Sequence, residues 1–142
     1  MMPNDQDLTR FAELLIRLVR DRAIAACDQL ADGQTRGPLG DRWRSIVEEP
    51  AAREAVKALI PDIVDQTLAE LLNALDNGIL PLAWRREDNS CIPLEDLGQG
   101  EMEGWLMGRV GWRNSFSQQR FYNLFTDLHL MLPDDSQEAE DS

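Results

Sequence analysis

From about Asp5 to Asp32 the apolar positions Leu8, Phe11, Leu15, Leu18, Val19 and Ala26 recur at three- and four-residue steps. Glu13, Arg17, Arg20 and Asp21 fall on other faces, so the segment predicts one long amphipathic helix. Asn4 or Asp5 is a candidate N-cap, and Gly33 supplies the permissive backbone on which a helix ends. Gly33 to Gly40 combines three glycines with a proline, which stops helix and strand alike and predicts an exposed loop. Asp41 then caps a short helix to Glu49 that carries Trp43, Ile46 and Val47. Pro50 suits the first turn of another helix, because its missing N–H has no partner to lose there. Ala51 to Leu59 is helical in propensity, and Pro61 predicts a break or kink after it. Asp62 can cap the following stretch, in which Ile63, Val64, Leu68, Leu71, Leu72 and Leu75 form a wide apolar stripe that Asn77-Gly78 terminates.

Between Ile79 and Leu94 the helical spacing is lost, and Pro81 and Pro93 forbid a continuous helix. Glu87-Asp88-Asn89-Ser90 reads as a turn between Leu82-Ala83-Trp84 and Cys91-Ile92, a pattern that allows one short β-hairpin. Leu94 to Met107 resumes helical spacing through Leu97, Trp105 and Leu106, with loose joints at Gly98, Gly100 and Gly104. Ser115 or Ser117 can cap a final helix that buries Phe116, Phe121, Leu124, Phe125 and Leu128 on one side. No repeat and no linker divides the chain. The expectation is a mainly α, single-domain helical bundle of about five to seven helices over residues 1–132, followed by an acidic, flexible and disordered tail over 133–142.

The 142 residues are 43% hydrophobic and 28% charged, a globular balance, and no apolar run approaches the ~20 residues that a membrane span needs. The acidic N-terminus lacks the pattern of a secretory signal, so a cytoplasmic protein is expected. A net charge of −12 repels phosphate backbones and argues against direct nucleic-acid binding. Part of that charge lies in the tail, where Asp134, Asp135, Glu138, Glu140 and Asp141 face no base. The densest acidic stretch of the body runs from Glu87 to Gly108 and holds Glu87, Asp88, Glu95, Asp96, Glu101 and Glu103 without one Lys or Arg. A solvated surface is the ordinary reason for such a cluster; a face for a basic protein partner is the sharper one. Trp84, Trp105 and Trp112 share this region, and Trp112, in Gly111-Trp112-Arg113-Asn114, is the candidate interface anchor.

Catalytic chemistry finds little support. The one imidazole, His129, lies in an apolar run beside the tail with no nucleophile near it in sequence. Cys27 and Cys91 form neither a disulfide framework nor a metal-ligand spacing, so no metal or other cofactor is expected. Gly33 to Gly40 lacks the Lys-Ser/Thr end of a phosphate loop, and Leu97-Gly98-Gln99-Gly100 lacks the strand and helix context of a dinucleotide site. Glu101 and Glu103 diverge by about 200° on a helix and cannot easily share one reacting group.

The segments Glu70-Leu71-Leu72-Asn73-Ala74-Leu75-Asp76-Asn77-Gly78, Glu101-Met102-Glu103-Gly104-Trp105 and Gly111-Trp112-Arg113-Asn114-Ser115-Phe116-Ser117 resemble those of small bacterial immunity proteins encoded beside polymorphic toxins. The resemblance covers roughly Glu70 to Phe125 through short motifs. It implies a cytoplasmic, non-enzymatic, antitoxin-like protein that binds a cognate toxin effector and occludes its active site or substrate cleft. On that reading Glu87, Asp88, Glu95, Asp96, Glu101 and Glu103 meet a basic cleft and Trp112 anchors the contact. The alternatives are a small cytoplasmic enzyme or ligand-binding protein with an acidic pocket between helices, and a regulatory adaptor. The sequence leaves the oligomeric state open.

Overall fold

The computed structural model describes residues 3–122. The expected tail over 133–142, together with His129, Leu124, Phe125 and Leu128, lies outside the described residues. Helix α1 (Pro3–Leu14), a π-helical turn (Leu15–Arg20) and α2 (Asp21–Ala31) follow one another without a break and form the long helix that the spacing predicts. The helix already begins at Pro3, ahead of either proposed cap. Its end follows the expected logic: Gly33 adopts φ +73° and the Gln34 N–H reaches back to the Gln29 carbonyl at 2.9 Å. The π turn was not legible in the spacing. There the Asp21 N–H donates to the Ile16 carbonyl, one residue further back than in an α-helix, which rotates the helix face at Arg20.

Helix α3 (Pro38–Ile46) starts earlier than expected, with Gly37 at the N-cap and Pro38 in the first turn. Asp41 therefore lies inside the helix instead of capping it; its N–H donates to the Gly37 carbonyl and its carboxylate pairs with Arg44. The loop correspondingly shortens, because Pro38 supplies the dihedral angle a first helical turn needs.

The largest correction concerns Pro61. Helix α4 (Pro50–Asp76) runs through it as one 27-residue rod, so neither the break nor an Asp62 cap exists. A proline removes the hydrogen bond to the carbonyl of the residue four before it, here Lys57. That carbonyl is not orphaned: the Arg120 Nη2 donates to it at 2.6 Å. Asn77 then closes the helix and Gly78, at φ +68°, turns the chain away.

Strands β1 (Ala83–Arg85) and β2 (Cys91–Pro93) pair antiparallel, with Trp84 opposite Ile92, as the turn residues allow. Asn89 takes a positive φ of 69° in the turn. Helices α5 (Leu94–Gly98) and α6 (Met102–Met107) are separated at Gln99 and Gly100, both at positive φ, which matches the expected loose joint. Asp76, at the end of α4, ties this joint down by accepting the Met102 N–H at 2.9 Å. Helix α7 (Trp112–Phe116) is short, and Ser117 closes it instead of starting a longer one. Residues 117–122 continue without helical structure, so Phe121 does not sit on a helix face.

The fold is mainly helical with one small two-stranded sheet. The main core packs Leu15 and Ile16 against Leu68, Leu72 and Leu75 of α4 and against Leu97, Met102 and Leu106. A second cluster joins Ile24 and Ala31 to Ile60, with Trp43 and Val56 against it. Among the described residues no helix is long and apolar enough to cross a membrane.

Candidate functional site

The acidic stretch divides among three places, the hairpin tip, α5 and α6. Glu87 and Asp88 sit at the hairpin tip, beside a groove of about 550 Å³ whose other walls include Asp7, Arg10, Trp84 and Arg86. Asp88 organises the tip: its Oδ1 accepts the Ser90 N–H at 2.9 Å and the Ser90 hydroxyl at 2.6 Å. These bonds, led by the hydroxyl, hold the Asp88 carboxyl below its usual range. Arg86 fastens the hairpin to α1 through Asp7 at 2.8 Å, and that hydrogen bond raises its pKa.

Glu95 and Asp96 occupy the first turn of α5, and Glu95 borders a separate cleft with Leu75, Gly78 and Leu80. Glu101 is the N-cap residue of α6 and Glu103 lies in its first turn. Glu87, Asp88, Glu95, Asp96 and Glu101 are exposed and Glu103 is half-buried. None of the six forms an ion pair among the described residues. The acids that do are Asp7, Glu13, Asp21, Asp28, Asp32, Asp41 and Asp65.

Trp112 begins α7 instead of standing in a loop. It is half-buried, with Phe11 and Trp105 rings 6.1 and 5.9 Å from its own. Trp84 joins the same group through an edge contact with Phe11 at 6.0 Å. The cluster fixes the hairpin and α7 against α1, so Trp112 contributes to the core as well as bordering the surface.

A buried polar network, unanticipated from the sequence, stands behind this surface. Asp65, 1% exposed, accepts from Arg20 Nε at 2.6 Å, from Arg20 Nη2 at 3.1 Å and from Arg113 Nη1 at 2.8 Å. Arg20 and Arg113 are 0% and 1% exposed. The Phe121 ring faces both guanidinium groups, at 5.9 and 4.8 Å from their central carbons. Residues 117–122 strap this network down. The Arg120 carbonyl accepts from Arg20, the Gln118 N–H donates to Asp21, and Arg120 forms a two-pronged pair with Asp28 at 2.8 Å. That pairing raises the Arg120 pKa.

The signal for this network was present. Arg20 lies four residues from both Ile16 and Ile24, and Asp65 lies four from Pro61 and three from Leu68, so each charge interrupts an apolar row. Burial in such a row requires a partner of opposite sign. The network is a packing device: its donors and acceptors are turned toward one another, leaving Arg113 Nε alone without a partner.

Among the described residues, no group of three or more His, Cys, Asp or Glu side chains is placed to hold a metal ion. Cys27 is half-buried and its thiol pKa is raised, first by desolvation and then by Asp28. No protein-family model, characterised protein or solved structure matches the chain.

Proposed function

We propose that this chain is a non-catalytic binding domain of the immunity type, which neutralises a cognate bacterial toxin effector by covering its active site or substrate cleft. The observation that carries the reading is the density of exposed acids from Glu87 to Glu101 on the hairpin, α5 and α6, a stretch that holds no base of its own and none of whose acids is in an ion pair among the described residues, with Arg86 near Asp88 at its edge. Seven acids elsewhere form ion pairs within the fold, while Glu48, Glu49, Glu54, Asp62 and Glu70 are exposed without one, so it is the density of exposed acids that sets this stretch apart. A basic cleft would be steered toward such a surface quickly, and the steering weakens as salt screens it. The partner is a basic toxin or effector domain acting in the cytoplasm, and the contact needs no cofactor.

Tagged protein is used to recover partners at about 0.1 M salt, where exposed charges still attract over roughly 10 Å. The expected result is one basic protein at near-equal stoichiometry, released by salt and lost from the Glu101→Lys/Glu103→Lys double variant. A partner held equally well by that variant at low salt removes the acidic face from the contact. Recovery of the domain alone, from native cells and from cells made to express basic toxin domains, overturns the immunity reading.

A further inference from the structure

The connection between α4 and β1 folds into a walled cleft. The Ile79 and Leu80 N–H groups both donate to the Ala74 carbonyl, at 2.9 and 3.2 Å. Leu82 N–H then donates to the Leu80 carbonyl at 2.8 Å, and Leu94 N–H to the Leu82 carbonyl at 2.9 Å. The backbone on both sides is therefore fixed before anything binds, which lowers the ordering cost of association.

This cleft encloses about 180 Å³, walled by Leu75, Leu80, Pro81, Leu82 and Pro93, with Glu95 the sole ionisable group in its lining. The Glu95 carboxylate lies directly over Gly78: a Cβ at that position would stand 2.6 Å from its Oε2, closer than side-chain carbons approach. The glycine is required by the positive φ of the turn, and the flexible end of Glu95 rests in the space that it leaves. Leu80 and Leu82 remain 41% and 55% exposed at the rim, an aliphatic surface that nothing in the described residues covers.

Apolar walls that end in an unpaired carboxylate complement one kind of group, a cation carried on an aliphatic stem. The volume is about six times the ~30 Å³ share of a water molecule, enough for one long side chain and too little for a helix or a nucleotide. We propose that this cleft takes a lysine or arginine side chain of the partner, its stem along Leu80, Pro81, Leu82 and Pro93 and its charged head on Glu95. The identity of the partner rests on the immunity reading above; the chemistry of the cleft does not.

The test is an amide-resolved NMR titration of the full chain with N-acetyl-lysine N-methylamide and with its norleucine counterpart, which keeps the stem and lacks the ammonium. The lysine probe should give saturable shifts centred on Gly78, Ala83 and Glu95, with affinity in the millimolar range. The norleucine probe, and the lysine probe against Glu95→Gln, should bind about three- to fivefold more weakly, the change expected for loss of one solvent-exposed charge pair. Equal binding of the two probes, indifference to Glu95→Gln, or no saturable shift at these amides overturns the proposal. Because no toxin is present, this result is separable from partner recovery. A cleft that fails while a salt-sensitive partner is retained leaves the acidic face standing, and a cleft that binds with no partner recovered leaves the cleft standing.

Discussion

Replacing Asp65 by Asn keeps the shape of the side chain and removes the negative charge that two buried guanidiniums share. Arg20 and Arg113 are 0% and 1% exposed, so neither can recover the loss by turning to water. Arg20 retains Asp21 at 3.2 Å, while Arg113 keeps only neutral carbonyl partners, those of Met107 and Tyr122. Breaking a buried pair by deleting one partner costs about 3–5 kcal/mol, because the remaining charge stays desolvated. Against a total of roughly 5–15 kcal/mol for a domain, that is a large fraction of the stability. The melting temperature should fall by about 10–20 °C. Urea unfolding followed by tryptophan fluorescence measures the difference, with the slope against urea unchanged if only the folded state is affected. Replacing Arg20, Asp65 and Arg113 together by apolar residues of similar volume should recover most of the loss, since a buried ionic cluster contributes little net stability over an apolar one. A loss below about 1 kcal/mol for Asp65→Asn, the scale of an exposed pair, would refute the burial argument.

Three further outcomes follow from contacts already described. Arg120→Ala should cost about 1–3 kcal/mol in the native chain, since it leaves the Lys57 carbonyl without a donor, but less in a Pro61→Ala background where a helical N–H returns; a denaturation cycle should show coupling of about 1 kcal/mol. Maleimide labelling followed by mass spectrometry should modify exposed Cys91 first and half-buried Cys27 slowly, because desolvation and Asp28 hold the Cys27 thiol in its protonated form. The Asp88 carboxyl is depressed below 3.8 by its Ser90 bonds, so its support of the hairpin is complete above that pH and disappears as the pH falls through the folded value; carboxyl-detected NMR titration should show the depression lost in Ser90→Ala.

Elements set by local chemistry were readable along the chain. The helix ends at Gly33 and Gly78, the Pro50 start, the turn at Asp88 to Ser90 and the joint at Gln99-Gly100 all depend on neighbours within a few residues. What escaped depends on distant residues. Pro61 signals a break wherever its freed carbonyl has no donor, and here the donor comes from Arg120, 63 positions away from Lys57. The π turn alters which face Arg20 presents, and only the presence of Asp65 on α4 makes that face worth burying. Ser117 looked like a helix cap, yet its hydroxyl is taken by Asp21, and the chain after it is drawn across α2 instead of coiling. For the candidate site, the exposure of the acids could be anticipated from their charge. Their division between the hairpin turn and the helical segment after Pro93 was legible as well, whereas the position of Glu95 beside Gly78 was not, because Gly78 belongs to the end of α4.

The strap over residues 117–122 also has a meaning for synthesis. Arg113 meets Asp65 across 48 positions, so the second arginine of the buried cluster leaves the ribosome well after the first two members. At roughly 5–20 residues per second, that interval is about 2–10 s. Until residues 113–122 are in place, the Arg20–Asp65 pair lacks its second arginine and the Lys57 carbonyl lacks its donor. Closure of the buried cluster thus depends on a segment that lies 48 or more positions after Asp65, and the long helices cannot complete it by themselves.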